Sequence, residues 1–314
     1  MHQPPRPVGV TAVVALAAVA LAAGQALTGC STVGSASRSP GTVTVTASFY
    51  PLAFAVQQIG GPRVSVTSLT KPGAEPHDVE LSPKDVAGLI RSSLVVYAKG
   101  FQPAVDTAVD QEAQDHALDV TPVANLDLAP PPEEGKQQQA GAKDPHFWLD
   151  PQRYAAVAEP IAERLASADP AHAAEYRSNA KGFADKLAKL DSDLRAGTAS
   201  CRIKELVTSH AAFGYLSERY GFTQVPITGL SPDAEPSAAK LAEVADYVRA
   251  HPITTIYAET LVEPAFADTV ARSTGATVAT LDPIEGLTSA SAGADYLEVM
   301  RSNLAVLKAG QQCQ

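Results

Sequence analysis

The chain has 314 residues, room for two domains at ~100–200 residues each and for a substantial core. Lys and Arg number 24 against 34 Asp and Glu, a net charge of −10, and the basic residues form no cluster; this excludes the electrostatic footprint of a nucleic-acid-binding protein. The acidic excess serves solubility and attracts cations without selecting among them.

The N-terminus sets the compartment. Arg6 supplies a small positive charge ahead of an almost unbroken apolar run at 8–26, closed by Leu27-Thr28-Gly29-Cys30. The pattern resembles a bacterial lipoprotein signal with its lipobox, which implies that residues 1–30 are the signal and that Cys30 becomes the lipidated first residue of the mature chain. The run exceeds an ordinary signal core of ~7–15 residues, so an uncleaved membrane anchor is the alternative. Both readings place the remainder outside the cytoplasmic membrane. Residues 31–41, rich in Ser, Gly, Thr and Ala, read as a flexible tether. The two remaining cysteines, Cys201 and Cys313, most simply form a disulfide in such an oxidising space. The chain-entropy model assigns about 4–5 kcal/mol to a closed loop of roughly a hundred residues. With no Cys-x-x-Cys in the chain, metal binding by these cysteines is the poorer alternative.

Beyond the tether, alternating Thr and Val predict a strand over 42–47, a helix over 51–59 stopped by Gly60-Gly61, and a strand over 64–69. A turn-rich loop with His77 follows. Ser82, Pro83 and Asp85 supply an N-cap, a first-turn proline and an early acid for the next helix. An apolar strand spans 94–98, then come a helix and a short strand at 117–120. Residues 129–143, with three prolines and three glutamines in succession, lack periodicity and predict a mobile surface loop. The loop leads into Asp144-Pro145-His146-Phe147-Trp148-Leu149-Asp150-Pro151, where Asp150 and Pro151 mark a helix start and the chain's only tryptophan stands two residues from His146.

A helix over 154–167 precedes the longest periodic stretch. Tyr176, Ala180, Phe183, Leu187, Leu190 and Leu194 recur every three or four residues up to Gly197, one amphipathic helix of roughly 40 Å at ~1.5 Å per residue. The βα alternation then resumes, with strands expected at 205–209, 222–228, 253–257 and 276–281 and helices at 213–220, 237–250, 264–274 and 295–308. The fold class is α/β: an N-terminal lobe at 42–168 and a C-terminal lobe at 198–314, each a parallel sheet covered by helices, joined by a rigid linker helix at 169–197.

Ligands of open parallel sheets bind beyond the carboxyl ends of the strands. His77, His210, Glu259 and Asp282 each fall just past a predicted strand, and His146 ends a loop; one cleft between the lobes brings them together. Three imidazoles and one carboxylate suit four-coordinate zinc. His116, His172 and His251 fall in or beside helical stretches, and surface positions account for them.

At these residues the chain resembles a known family. Pro76-His77-Asp78, the 144–151 motif, Ser209-His210-Ala211-Ala212-Phe213-Gly214-Tyr215 and Leu281-Asp282-Pro283, preceded by Ser48-Phe49-Tyr50-Pro51-Leu52, look in matching order like the motifs of the zinc and manganese solute-binding proteins of bacterial ABC importers. The resemblance implies His77, His146, His210 and Asp282 as metal ligands, one zinc per chain, a monomer, and delivery to a membrane permease. Histidine rather than glutamate at the third position points to zinc over manganese, in line with the preference of imidazole for zinc. Glu259 and Asp144 are candidates to orient a ligand ring, with Glu259 as an alternative direct ligand. The resemblance includes a second-lobe disulfide like Cys201–Cys313. One departure is the absence of histidine from the loop at 129–143, where zinc members often carry a His-rich segment.

Two competing readings are an extracytoplasmic zinc hydrolase, with Asp282 or Glu259 as general base, and a surface adhesin with a structural metal. The chain has no His-Glu-x-x-His, Gly-x-Ser-x-Gly or Walker A sequence, so the expectation is a carrier and not an enzyme.

Overall fold

The computed structural model describes residues 41–132 and 141–314. The signal, the lipobox Cys30, most of the tether and the middle of the polar loop lie outside the described residues.

In the first lobe β1 (Val43–Ala47) is central, flanked by β2 (Val64–Ser68) and β3 (Leu94–Tyr97), with β4 (Ala117–Asp119) beyond β3. All pairings are parallel, and Val45 stands opposite both Val66 and Leu94. Every residue of β3 is buried, as expected of a strand covered on both faces. Around the sheet run α1 (Tyr50–Gly60), α2 (Pro83–Arg91), α3 (Pro103–Glu112) and the short α4 (Thr121–Ala124). The start of α2 is a full capping box: the Ser82 hydroxyl accepts from the Asp85 amide, and Asp85 accepts from the Ser82 amide.

The helix expected over 154–167 is two helices, α5 (Pro151–Ala156) and α6 (Ala158–Ala168). Pro160 has no N–H to give the Ala156 carbonyl, so the ladder breaks between them. Asp150 caps α5 by accepting from the Gln152 amide at 2.8 Å.

The linker is α7 (Ala173–Thr198), 26 residues long. All six residues of its predicted apolar stripe are buried. The helix ends one residue past Gly197, where a Cβ would stand 2.8 Å from the Leu304 side chain, so the glycine also serves close helix packing.

The second lobe repeats the plan: β5 (Glu205–Thr208), α8 (Gly214–Tyr220), β6 (Thr223–Pro226), α9 (Ala238–Ala250), β7 (Thr255–Ala258), α10 (Ala265–Thr274) and β8 (Thr277–Thr280), again all parallel, in the order β6-β5-β7-β8. The last helix, α11 (Tyr296–Gly310), is capped by Asp295. Leu304 of α11 packs on Gly197, so this helix fastens the second lobe to the linker. One apolar cluster runs from β1 and α1 through Trp148 and the α7 stripe to α11, which makes the linker part of the core. A second cluster, including Val207, Val244, Ile256 and Val270, fills the far side of the second sheet. Cys201 and Cys313 are disulfide-bonded.

Candidate metal site

Each candidate ligand is held by its own local structure. Gln102, buried, donates to the Thr70 hydroxyl and the Pro76 carbonyl, both at 3.0 Å; this anchors the loop after β2 that presents His77. The His77 amide donates to Glu75 Oε1 at 2.8 Å, and its ring stands edge-on to Phe101. His146 sits in the turn before α5. Asp144 Oδ1 accepts both the His146 amide, at 2.9 Å, and its ring Nδ1, at 2.7 Å. His210 follows β5 directly. Its amide donates to Glu259 Oε1 at 3.1 Å, and its Nδ1 lies 2.7 Å from the same oxygen. A carboxylate at Nδ1 fixes the tautomer that turns the Nε2 lone pair outward, the usual support of a metal-binding imidazole.

Those three Nε2 atoms converge on Glu285. Its Oε1 lies 3.1 Å from His77, 3.0 Å from His146 and 3.3 Å from His210, and the His77 and His146 nitrogens are 3.2 Å apart. Four donors at ~2.0–2.1 Å from a zinc ion at tetrahedral corners stand roughly 3.3 Å apart, so these four spacings match such a shell, while the whole set of donors falls within 4.8 Å. Glu285 Oε2 is buried and has no hydrogen-bond partner among the described residues.

Asp282, the expected fourth ligand, is outside this group of four donors. Its Oδ1 accepts from the Ile284 amide at 2.8 Å and its Oδ2 from the Ser291 hydroxyl at 3.2 Å. The first of these bonds is an Asx turn, which carries Ile284 into the left-handed region at φ 58° and delivers Glu285 into the cleft. A β-branched residue there is a strained exception. The strand-end acid is thus consumed in building the turn, and the carboxylate three residues later meets the histidines.

A family model described as zinc-uptake complex component A, periplasmic, matches residues 45–310. The chain belongs to that family. It is similar to the high-affinity zinc uptake system protein ZnuA of Bacillus subtilis, 35% identical over 288 residues, which covers 88% of this chain and 90% of the relative. It is also similar to the zinc-binding lipoprotein AdcA of Streptococcus pneumoniae, 34% identical over 281 residues, covering 86% of this chain but 56% of AdcA; the chain spans about half of that longer relative. Among solved structures, the laminin-binding protein Lmb of Streptococcus agalactiae superposes with a TM-score of 0.76 at 32% identity, over 86% of this chain and 99% of the other. The Zn(II)-bound ZnuA-like domain of Streptococcus pneumoniae AdcA gives 0.72 at 34% identity, with 86% and 99% covered.

Within this family member the site is a set of opposed charges out of water. Burial alone would push Glu285 upward, but His210, His146 and His77 outweigh it and hold the carboxyl well below its usual range. Burial pulls His146 down, yet Asp144 and Glu285 hold it above its ordinary value; Glu259 and Glu285 do the same, more strongly, for His210. His77 is held below its ordinary value by burial. Glu259 and Asp144 sit beside the Nδ1 atoms, on the far side of the rings from the four-donor cluster. Sequence pattern does not single out Glu285, because Asp282, in the dipeptide Asp282-Pro283, is the acid that falls at the strand end. The signal that finds it is the same dipeptide read as a turn: an Asx side chain two residues before a backbone N–H is occupied, and the next acid beyond is free.

Proposed function

We propose that this chain captures Zn²⁺ outside the cytoplasmic membrane and delivers it to the permease of an ABC importer, with His77, His146, His210 and Glu285 as the four ligands. The observation that carries the reading is the convergence of three Nε2 atoms and one carboxylate oxygen within 4.8 Å of one another, His77 and His146 from the first lobe and His210 and Glu285 from the second. Imidazole-rich donor sets suit zinc, and manganese favours more oxygen. Four protein donors complete a closed shell with no position for an activated water, so the role is carriage rather than catalysis. The names of the relatives agree: a zinc uptake protein and a zinc-binding lipoprotein. No described helix is long and apolar enough to cross a membrane; attachment falls to Cys30, and the chain works as a monomer with lobes at 42–168 and 198–314 about the linker.

The test is elemental analysis and competitive zinc titration of the full chain in detergent, beside His210→Ala. One zinc per chain, held against excess manganese and lost in the variant, is the expected result. A preference for manganese, or zinc binding indifferent to the substitution, would overturn the assignment.

A further inference from the structure

Next to His146 the contact between the lobes is ionic. Arg219 on α8 donates from Nε and Nη2 to the two oxygens of Asp191 on α7, at 2.5 and 2.8 Å. Its Nε also lies 3.1 Å from Asp150 Oδ1, the cap of α5. Arg153 on α5 reaches back: its Nη2 is 2.9 Å from Asp127 and 3.1 Å from Glu218 on α8, and its guanidinium lies 4.4 Å above the Tyr215 ring. The Tyr215 hydroxyl in turn donates to the Asp144 carbonyl at 3.1 Å, the residue that grips His146 Nδ1. The contact is close: a Cβ at Gly214, the first residue of α8, would stand 2.4 Å from Asp144 Oδ2.

We propose that Arg153 and Arg219 form an interlobe latch, holding α8 against the His146 turn and the linker helix, and that its grip sets how fast the bound metal leaves. The inference rests on the zinc-carrier reading above. Two ligands come from each lobe, so release requires the lobes to part, and what opposes parting differs from place to place. Elsewhere the join is buried and aromatic: Trp148 Nε1 donates to the Pro283 carbonyl at 2.7 Å, the Tyr296 hydroxyl donates to the Trp148 carbonyl, and Tyr154 packs against Tyr296. Those aromatic side chains are fully buried, and apolar contacts of this kind respond little to salt. The α8 edge is different. Arg153 and Arg219 keep 14% and 21% of their side chains exposed, enough for salt, or the charges of a docking partner, to compete for them. Movement there also draws Tyr215 from Asp144 and so loosens His146 at its Nδ1, the kind of support whose loss weakens metal binding 10–100-fold. Arg153 and Arg219 are positioning residues; neither touches the metal.

The test is stopped-flow release of zinc from the loaded full chain in detergent into excess chelator, for wild type, Arg153→Gln, Arg219→Gln, the double variant and Glu218→Gln. Glu218 is 51% exposed, so its substitution leaves the core alone and keeps the test valid if an arginine variant misfolds. The dissociation rate should rise about tenfold in the arginine variants and by less in Glu218→Gln, with association within about twofold. Wild-type release should quicken with added NaCl, and the double variant should lose that response. A merely structural role would not remove the salt response. Wild type that holds zinc, with variants releasing it at an unchanged rate, overturns the latch alone; wild type that holds no zinc overturns the carrier reading and the latch with it.

Discussion

Glu285 and Asp282 have opposite duties, and replacing each with alanine separates them. Glu285 is fully buried and its Oε1 faces three imidazole nitrogens at 3.0–3.3 Å. Removing it takes away the one anionic donor. Even orienting groups behind a ligand cost 10–100-fold in affinity when lost, so loss of the ligand itself should weaken zinc at least ~100-fold, about 3 kcal/mol at ~1.4 kcal/mol per decade. Asp282 accepts two hydrogen bonds, one closing the turn and one from the Ser291 hydroxyl, each worth ~1 kcal/mol net, and the first supports an Ile284 backbone strained by ~1–3 kcal/mol. Asp282→Ala should therefore lower the stability of the metal-free protein by about 2–3 kcal/mol while reducing zinc affinity less than ~10-fold. Competitive zinc titration and thermal unfolding of both variants measure the two effects. Zinc binding abolished in Asp282→Ala and retained in Glu285→Ala would refute the turn argument and restore Asp282 as the ligand.

Four further outcomes follow. Zinc needs neutral imidazoles, and His146 and His210 are held above their ordinary value, so binding displaces their protons: affinity should fall as pH drops, by about tenfold per unit per displaced proton, and a pH-independent dissociation constant between pH 6 and 8 would contradict this. The metal-free protein has the opposite sign, because ion pairs of these raised histidines are fully present below the unfolded imidazole value and are lost as pH rises through the folded ones; its unfolding midpoint should decline over that range. Asp144→Asn, which keeps the shape but weakens the hold on His146 Nδ1, should cost 10–100-fold in zinc affinity, read by the same titration. Replacing both Cys201 and Cys313 with serine should cost about 2–5 kcal/mol of stability in denaturant melts and leave one zinc per chain, since neither cysteine reaches the site.

Much of the fold was legible because periodicity and punctuation agree. The six-residue stripe from Tyr176 to Leu194 is the buried face of α7, and Ser82, Asp150, Ser237 and Asp295 cap the helices they precede. Failures came where one residue type has two uses. Gly197, beside the helix end, is also a gap for Leu304 that the sequence does not show, and Pro160 splits a segment whose apolar period continues through it. Of the four clustered donors, His77, His146 and His210 were expected from their places after strands or turns. Glu285 was not, because four residues, 281–284, separate it from β8, and only the hydrogen bond inside that turn shows which acid is left over.

The chain's single tryptophan, at position 148, is completely buried, with its ring centroid 5.2 Å from that of His146 and its indole N–H bonded across the cleft to Pro283. A change of charge on that imidazole, or loss of the Pro283 bond, alters the electrostatic environment of the indole ring. The unlabelled protein is therefore its own optical gauge. All tryptophan emission originates from this one ring beside the candidate metal site, so excitation selective for tryptophan follows changes at the site and at the Pro283 bond in real time.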